Sequence, residues 1–119
     1  MNSPYIAEPA DKVPLYGRDN KELGILNHNI VTVAGERCYG VLAFHCGDGR
    51  MVQIPVPWAI IEFNDRTGRY FADVDRLKLM EAPCFATSDI SGFDAEFASE
   101  VDAAYGLEFP GIETMNDLA

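Results

Sequence analysis

The sequence predicts an all-β fold, a small antiparallel barrel or sandwich of about six strands, and three observations favour the barrel. Short apolar runs are separated by turn-forming residues roughly every 6–12 positions. Pro55 and Pro57 share one parity of a strand, so the donors missing from that side require a sheet edge or a barrel corner. Closure into a barrel would also protect the edges of the long apolar strands.

The predicted strands follow one another with short turns between them. Residues 1–11 are polar, contain Pro4 and Pro9, and are expected to form an arm. Apolar residues of both parities surround Asn27–Asn29, which predicts burial on both faces or a β-bulge at that point. The expected strands lie near residues 13–16, 23–33, 37–46, 51–58, 60–64 and 69–74.

Two helices are predicted after the strands. A short helix near residues 75–81 should end ahead of Pro83, because the residue before proline disfavours helical geometry. An amphipathic helix near residues 92–105 should be capped by Ser91, with Asp94 three positions on and Gly106 as its end. The expected organisation is an arm (1–11), a barrel (12–85), a helical extension (86–106) and an acidic tail (107–119).

Charge is distributed unevenly along the 119 residues, whose formal net charge is −10. Residues 1–80 contain nine Lys/Arg and ten Asp/Glu, whereas residues 81–119 contain nine Asp/Glu and no Lys/Arg. This acidic end argues against a nucleic-acid partner and favours a basic protein partner or simple solubility. No apolar run is long enough to span a bilayer and the first residues lack a signal peptide, so we expect no membrane insertion and a cytoplasmic protein.

The order of residues resembles one known family. Gly17-Arg18-Asp19 with Leu23-Gly24, the run from Tyr39 to Phe44, and Val52-Gln-Ile-Pro-Val-Pro-Trp58 are similar to the first strands of the PRC-barrel family. Its closing elements resemble Thr67-Gly68-Arg69-Tyr70, Asp73-Val74, Leu77, Ala82-Pro83 and Phe85, with a tail ending Ala104-Tyr105-Gly106. The resemblance implies a small antiparallel barrel that binds proteins and carries no catalytic motif.

Candidate reactive groups give only weak patterns. His28, His45, Cys38, Cys46 and Cys84 form neither a C-x-x-C nor an H-x-x-x-H pair, so no metal site and no catalytic cysteine is predicted. The odd cysteine count and the absence of an export signal favour free thiols. The carboxylates Glu62, Asp65, Asp73 and Asp75 alternate with Arg66, Arg69 and Arg76, a pattern better explained by solvated salt bridges than by acid–base catalysis.

The sequence therefore predicts a non-catalytic, self-associating protein-interaction module, expected as a homodimer without cofactor or metal. The alternatives are a small Cys/His metal-binding protein or enzyme, and an accessory factor in assembly of a ribosomal or photosynthetic complex. The predicted interaction residues are on the C-terminal helix: Phe93, Phe97, Val101, Tyr105, Glu96 and Glu100. The predicted core anchors are Trp58, Phe44, Leu42, Tyr70, Phe71 and Phe85.

Overall fold

A computed structural model describes residues 5–47, 49–87 and 89–107, and the prediction of a mainly β fold is confirmed. Two α-helices follow the last strand, and a single turn of 3-10 helix, Trp58–Ile60, lies between the fourth and fifth strands. The strands are β1 (Tyr5–Tyr16), β2 (Glu22–Thr32), β3 (Arg37–His45), β4 (Met51–Pro57), β5 (Ile61–Asn64) and β6 (Arg69–Ala72). The helices are α1 (Arg76–Glu81) and α2 (Ala95–Ala104).

The strands form one mixed sheet in the order β4-β3-β2-β1-β6-β5, so the expectation of a purely antiparallel sheet is wrong. β6 runs parallel to β1, with Leu15 opposite Tyr70 and Tyr16 opposite Phe71. The strands at the two ends of the sheet, β4 and β5, are joined by only the three residues of the 3-10 turn. Because so short a connection brings both ends of the sheet together, the sheet must curl into a half-barrel.

The outer edge of β4 explains why the curled sheet is not closed by pairing between β4 and β5. Gln53 exchanges two backbone hydrogen bonds of 2.8 Å with Phe85 on the side away from β3. Pro55 and Pro57 share the parity of Gln53, so their missing N–H groups fall on that same outer side. The prediction that these prolines mark a sheet edge is confirmed, and within the described part of the chain no β4–β5 ladder forms.

Most of the expected N-terminal arm belongs to the sheet. Residues from Tyr5 onward pair with β2, where Tyr5 lies opposite Thr32 and Pro9 opposite His28. The ring of Tyr5 also packs at 5.1 Å, centroid to centroid, against Phe93. The polar composition of the N-terminal residues gave no sign of this pairing, because the pairing depends on the length of β2, which extends to Thr32. The predicted bulge is confirmed as a register shift between Leu26 and His28 in the β2–β3 pairing.

Two apolar clusters lie on opposite faces of the sheet. The first fills the inside of the curl, where α1 adds Leu79 to the strand residues. The second lies between the outer face of β2 and β3 and the segment that contains α2, and it includes Ile30, Tyr39 and Val101. The first cluster consists of Leu15, Leu23, Leu26, Leu42, Phe44, Val52, Ile54, Val56, Ile61, Ala72, Val74, Leu79 and Ala82.

The C-terminal helix begins later than predicted. Asp94, not Ser91, is its N-cap, and the Asp94 carboxylate accepts a hydrogen bond from the backbone N–H of Phe97. Ser91 instead donates its hydroxyl to Asp89 in the preceding loop. An aspartate is as good an N-cap as a serine, so the sequence offered two equivalent starts three residues apart. The expected acidic tail lies outside the described residues except for Leu107.

Candidate functional site

The apolar stripe of α2, predicted to face a partner, is part of the core. Phe93 is 3% exposed and Val101 is fully buried, while Phe97 and Tyr105 are half-buried. Phe93, Phe97 and Val101 pack with the cluster on the outer face of β2 and β3. Tyr105 packs against both clusters, so the four side chains do not form a free docking surface in this chain. The two acidic members of the predicted set, Glu96 and Glu100, are exposed.

The predicted core anchors differ in their burial. Leu42 and Phe44 are fully buried inside the curl. Trp58 and Tyr70 are half-buried and pack against the first cluster, and Phe85 is half-buried and stacks on Phe97 with ring centroids 4.5 Å apart. Phe71 is also half-buried but belongs to neither cluster, and it lines a surface pocket beside β5.

The edge strand β5 presents a surface that the sequence did not reveal. Phe63 is 54% exposed, and its ring contacts Tyr70 with centroids 4.9 Å apart. A pocket of about 320 Å³ beside it is lined by Glu62, Phe63, Asn64, Asp65 and Phe71. We call these five residues the β5 edge. The sequence carries no signal for this surface, because Ile61 and Phe63 share one parity and only Ile61 is buried.

A larger cleft of about 590 Å³ lies between β5 and α1. Arg18 closes one side with an ion pair of 2.9 Å to Asp73 and a longer contact of 3.8 Å to Asp75. These carboxylates are thus paired, as expected, but with an arginine from the β1–β2 turn. Burial raises the pKa of Tyr105 in the cleft, and its hydroxyl has no hydrogen-bond partner among the described residues. The remaining lining residues are Ile60, Glu62, Val74, Leu77, Lys78 and Glu81.

The interleaved arginines that the sequence suggested as salt-bridge partners have other contacts. The guanidinium of Arg69 lies 4.3 Å from the ring centroid of Tyr16, and that of Arg76 lies 4.5 Å from the centroid of Phe44. Arg76 also donates a 2.8 Å hydrogen bond to the backbone carbonyl of His45. These two side chains therefore connect α1 and β6 to the rest of the sheet.

Two of the three cysteines share one apolar pocket. Cys46, which follows β3, and Cys84, which follows α1, both line a cavity of about 520 Å³ together with Met80 and Arg50. Burial raises the pKa of the Cys84 thiol, Cys46 raises it further, and Arg50 lowers it. Cys38 lies elsewhere, near Tyr5 and Asp102, and burial raises the pKa of its thiol as well. In the part of the chain that the structure describes, no three His, Cys, Asp or Glu side chains converge as metal ligands.

A hydrogen bond between a buried tyrosine and a half-buried carboxylate connects α2 to the sheet. The hydroxyl of Tyr39 in β3 donates to Asp102 over 2.8 Å. Burial raises the pKa of Asp102, and the Tyr39 hydroxyl acts in the opposite direction by stabilising the charged carboxylate. The folded protein therefore holds a proton on Asp102 more tightly than the unfolded chain does.

This raised pKa predicts the sign of a pH effect. Because the pKa of Asp102 is raised in the folded protein, this residue stabilises the fold at pH values below its ordinary pKa of 3.8. The stabilisation is lost as the pH rises through the pKa that Asp102 has in the folded protein. The free energy of unfolding of the wild type, minus that of Asp102→Asn, should therefore increase as the pH falls from the folded-state pKa of Asp102 to its ordinary pKa. Asparagine keeps an acceptor for Tyr39, and urea unfolding at several pH values measures the difference. A flat difference would contradict the assignment, and Tyr39→Phe should raise the Asp102 pKa further in an NMR titration.

Comparison of the sequence with models of known protein families gives no match, and no curated protein matches it either. Among the described residues, neither helix has the length and hydrophobicity to cross a bilayer.

Proposed function

We propose that the protein is a non-catalytic protein-interaction module of the PRC-barrel type, and that it self-associates through the β5 edge. The observation that carries the proposal is a short edge strand whose aromatic side chain, Phe63, is more than half exposed. Edge strands offer unpaired N–H and C=O groups to a second chain, and exposed aromatic side chains supply the apolar contact. In the neighbouring cleft, the carboxylates of Asp73 and Asp75 are paired with Arg18, which supports a structural role for these charges.

The two ends of the sheet are not equivalent as docking edges. On β4, the backbone N–H and C=O of Gln53 are already hydrogen-bonded to Phe85. Pro55 and Pro57 lack two further backbone N–H donors on the same side. β5 contains no proline, so each of its outward-facing residues keeps a backbone N–H. The N–H of Ile61 donates to the carbonyl of Trp58, and within the described ranges only β6 pairs with this strand. A partner strand therefore finds more free hydrogen-bonding groups at β5 than at β4.

The charges around β5 suit a second copy of the same chain. Glu62 and Asp65 stand beside Arg66 and Arg69 within one hairpin, so the surface carries both signs. In a twofold arrangement the same patch faces itself, and the acidic group of one subunit can meet the basic group of the other. The aromatic pair Phe63 and Tyr70 would lie near the centre of such an interface, where aromatic side chains contribute most.

Self-association predicts that Phe63→Glu weakens the dimer. Burying a charge at the centre of the interface should raise the dimer dissociation constant at least about 10-fold, since a central aromatic contact contributes about 2 kcal/mol. Light scattering coupled to size-exclusion chromatography over a concentration series measures this, with circular dichroism as the check on folding. The matched control is Val33→Glu, because Val33 is 72% exposed in the turn after β2. A monomeric wild type at the highest concentration, or equal weakening by Val33→Glu, would refute self-association through this edge.

A further inference from the structure

We propose that the pocket formed by Cys46, Cys84 and Met80, with an apolar wall, is a binding site for a soft monovalent cation, Cu(I). Thiolate and thioether sulfurs are the ligands that select Cu(I) over harder metals. The same pocket contains all three sulfur side chains and has a volume of about 520 Å³, ample for a metal ion with its ligands. This function is independent of self-association through β5.

The backbone on both sides of the pocket is fixed by hydrogen bonds. The N–H of Cys46 donates to the carbonyl of Arg50 over 2.7 Å, and its own carbonyl accepts from Gly49. Cys84 directly precedes Phe85, whose two hydrogen bonds to Gln53 hold this segment against β4. The two thiols therefore come from segments far apart in sequence that the fold holds at one cavity.

The wall of the pocket favours a soft cation over a hard one. Phe44, Val52 and Leu79 supply apolar surface. Among the described residues that line the pocket, the charged side chain is Arg50 and none is a carboxylate. Hard cations such as Mg²⁺ require oxygen ligands, which this wall does not offer. Zinc in structural sites takes four ligands, and the described residues do not converge in such a set. Cu(I) needs fewer ligands, and two thiolates with one thioether provide a complete sulfur environment.

Access to the pocket is open. Cys84 is exposed, and Met80 is 57% exposed. The thioether of Met80 lies near the end of a flexible side chain. A cation can therefore be delivered from a small thiol carrier and displace the two thiol protons, which leave with the carrier or enter solvent. The thioether of Met80 carries no proton and can move onto the bound ion without further chemistry.

The test is a competition titration of the full-length, reduced protein with Cu(I) against a chromophoric Cu(I) chelator in the absence of oxygen. The expected result is one tightly bound Cu(I) per chain. Cys46→Ser and Cys84→Ser should each weaken binding by more than about 100-fold, because even outer-shell partners of metal sites contribute about 10–100-fold. Met80→Leu should weaken binding to a smaller extent, and its exposed position leaves the core intact.

Cys38→Ser is the matched control, since Cys38 is a half-buried thiol outside this pocket. Its Cu(I) affinity should equal that of the wild type. Phe63→Glu should also bind Cu(I) normally, which separates this site from the proposed dimer interface. The proposal would be overturned if Cu(I) uptake did not saturate, or if Cys38→Ser lost as much Cu(I) affinity as the pocket variants. Unchanged Cu(I) affinity in Cys46→Ser and Cys84→Ser would also overturn it. Circular dichroism spectra and unfolding transitions of each variant distinguish lost ligands from lost folding.

Discussion

Gly24→Ala is expected to destabilise the protein by about 3 kcal/mol, the upper end for an inserted methyl group. A Cβ on Gly24 would lie 2.3 Å from the backbone carbonyl oxygen of Ala43 and 3.2 Å from a methyl group of Leu42. The closer neighbour is backbone in β3, so no side-chain rotation relieves the overlap. Gly24 lies just before the position where β2 begins to pair with β3, at Ile25 opposite Ala43. The substitution therefore forces the two strands apart where the sheet curls.

Gly47→Ala is the matched control for that substitution. A Cβ at Gly47 would meet nothing within 4 Å, and Gly47 is not among the glycines with positive φ. Alanine there should be neutral or stabilising by up to about 1 kcal/mol, because it restricts the unfolded chain. Urea denaturation of both variants measures the contrast. Equal stabilities for Gly24→Ala and Gly47→Ala would show that the close approach of β2 and β3 is absent in solution.

Local pattern made most of the strands predictable. Turn-forming residues marked the loops, and the two prolines of β4 predicted an edge because a missing N–H has the same consequence in any sheet. The bulge near Asn27–Asn29 followed from the change of parity in the apolar residues. The parallel pairing of β1 with β6 has no such local signal. It depends on which strands meet after the turn at Trp58–Ile60, and that is decided by tertiary packing.

The candidate surfaces were harder to predict than the fold. An amphipathic helix shows in its sequence that it buries one face, but not against which surface, so α2 suggested a partner where the sheet itself is the partner. The exposure of Phe63 is likewise invisible in sequence, since Ile61 has the same parity and is buried. The cysteines gave no spacing motif, because Cys46 and Cys84 are far apart in sequence and only the folded chain places them in one pocket.

Trp58→Ala should destabilise the protein by about 3 kcal/mol, the lower end for loss of a large aromatic side chain because Trp58 is only half-buried. Trp58 occupies the turn between β4 and β5, where the two ends of the sheet come together. Its indole N–H donates to Asn29 in β2 over 2.9 Å, and the guanidinium of Arg37 in β3 lies 4.2 Å from its ring centroid. Its ring meets Tyr70 in β6 edge to face at 5.6 Å. One side chain thus joins strands on both sides of β1.

Two variants separate the contributions of this side chain. Trp58→Phe keeps a ring for Tyr70 and Arg37 but removes the donor to Asn29, and the loss should be about 1 kcal/mol. Val33→Ala also removes apolar atoms, but from a position that is 72% exposed and outside the β5 edge, and should change stability by less than about 0.5 kcal/mol. Thermal unfolding resolves these differences, since 3 kcal/mol corresponds to about 10 °C in a domain of this size. A near-native melting temperature for Trp58→Ala would mean that β4 and β5 are held together without it, and that its ring belongs to the surface.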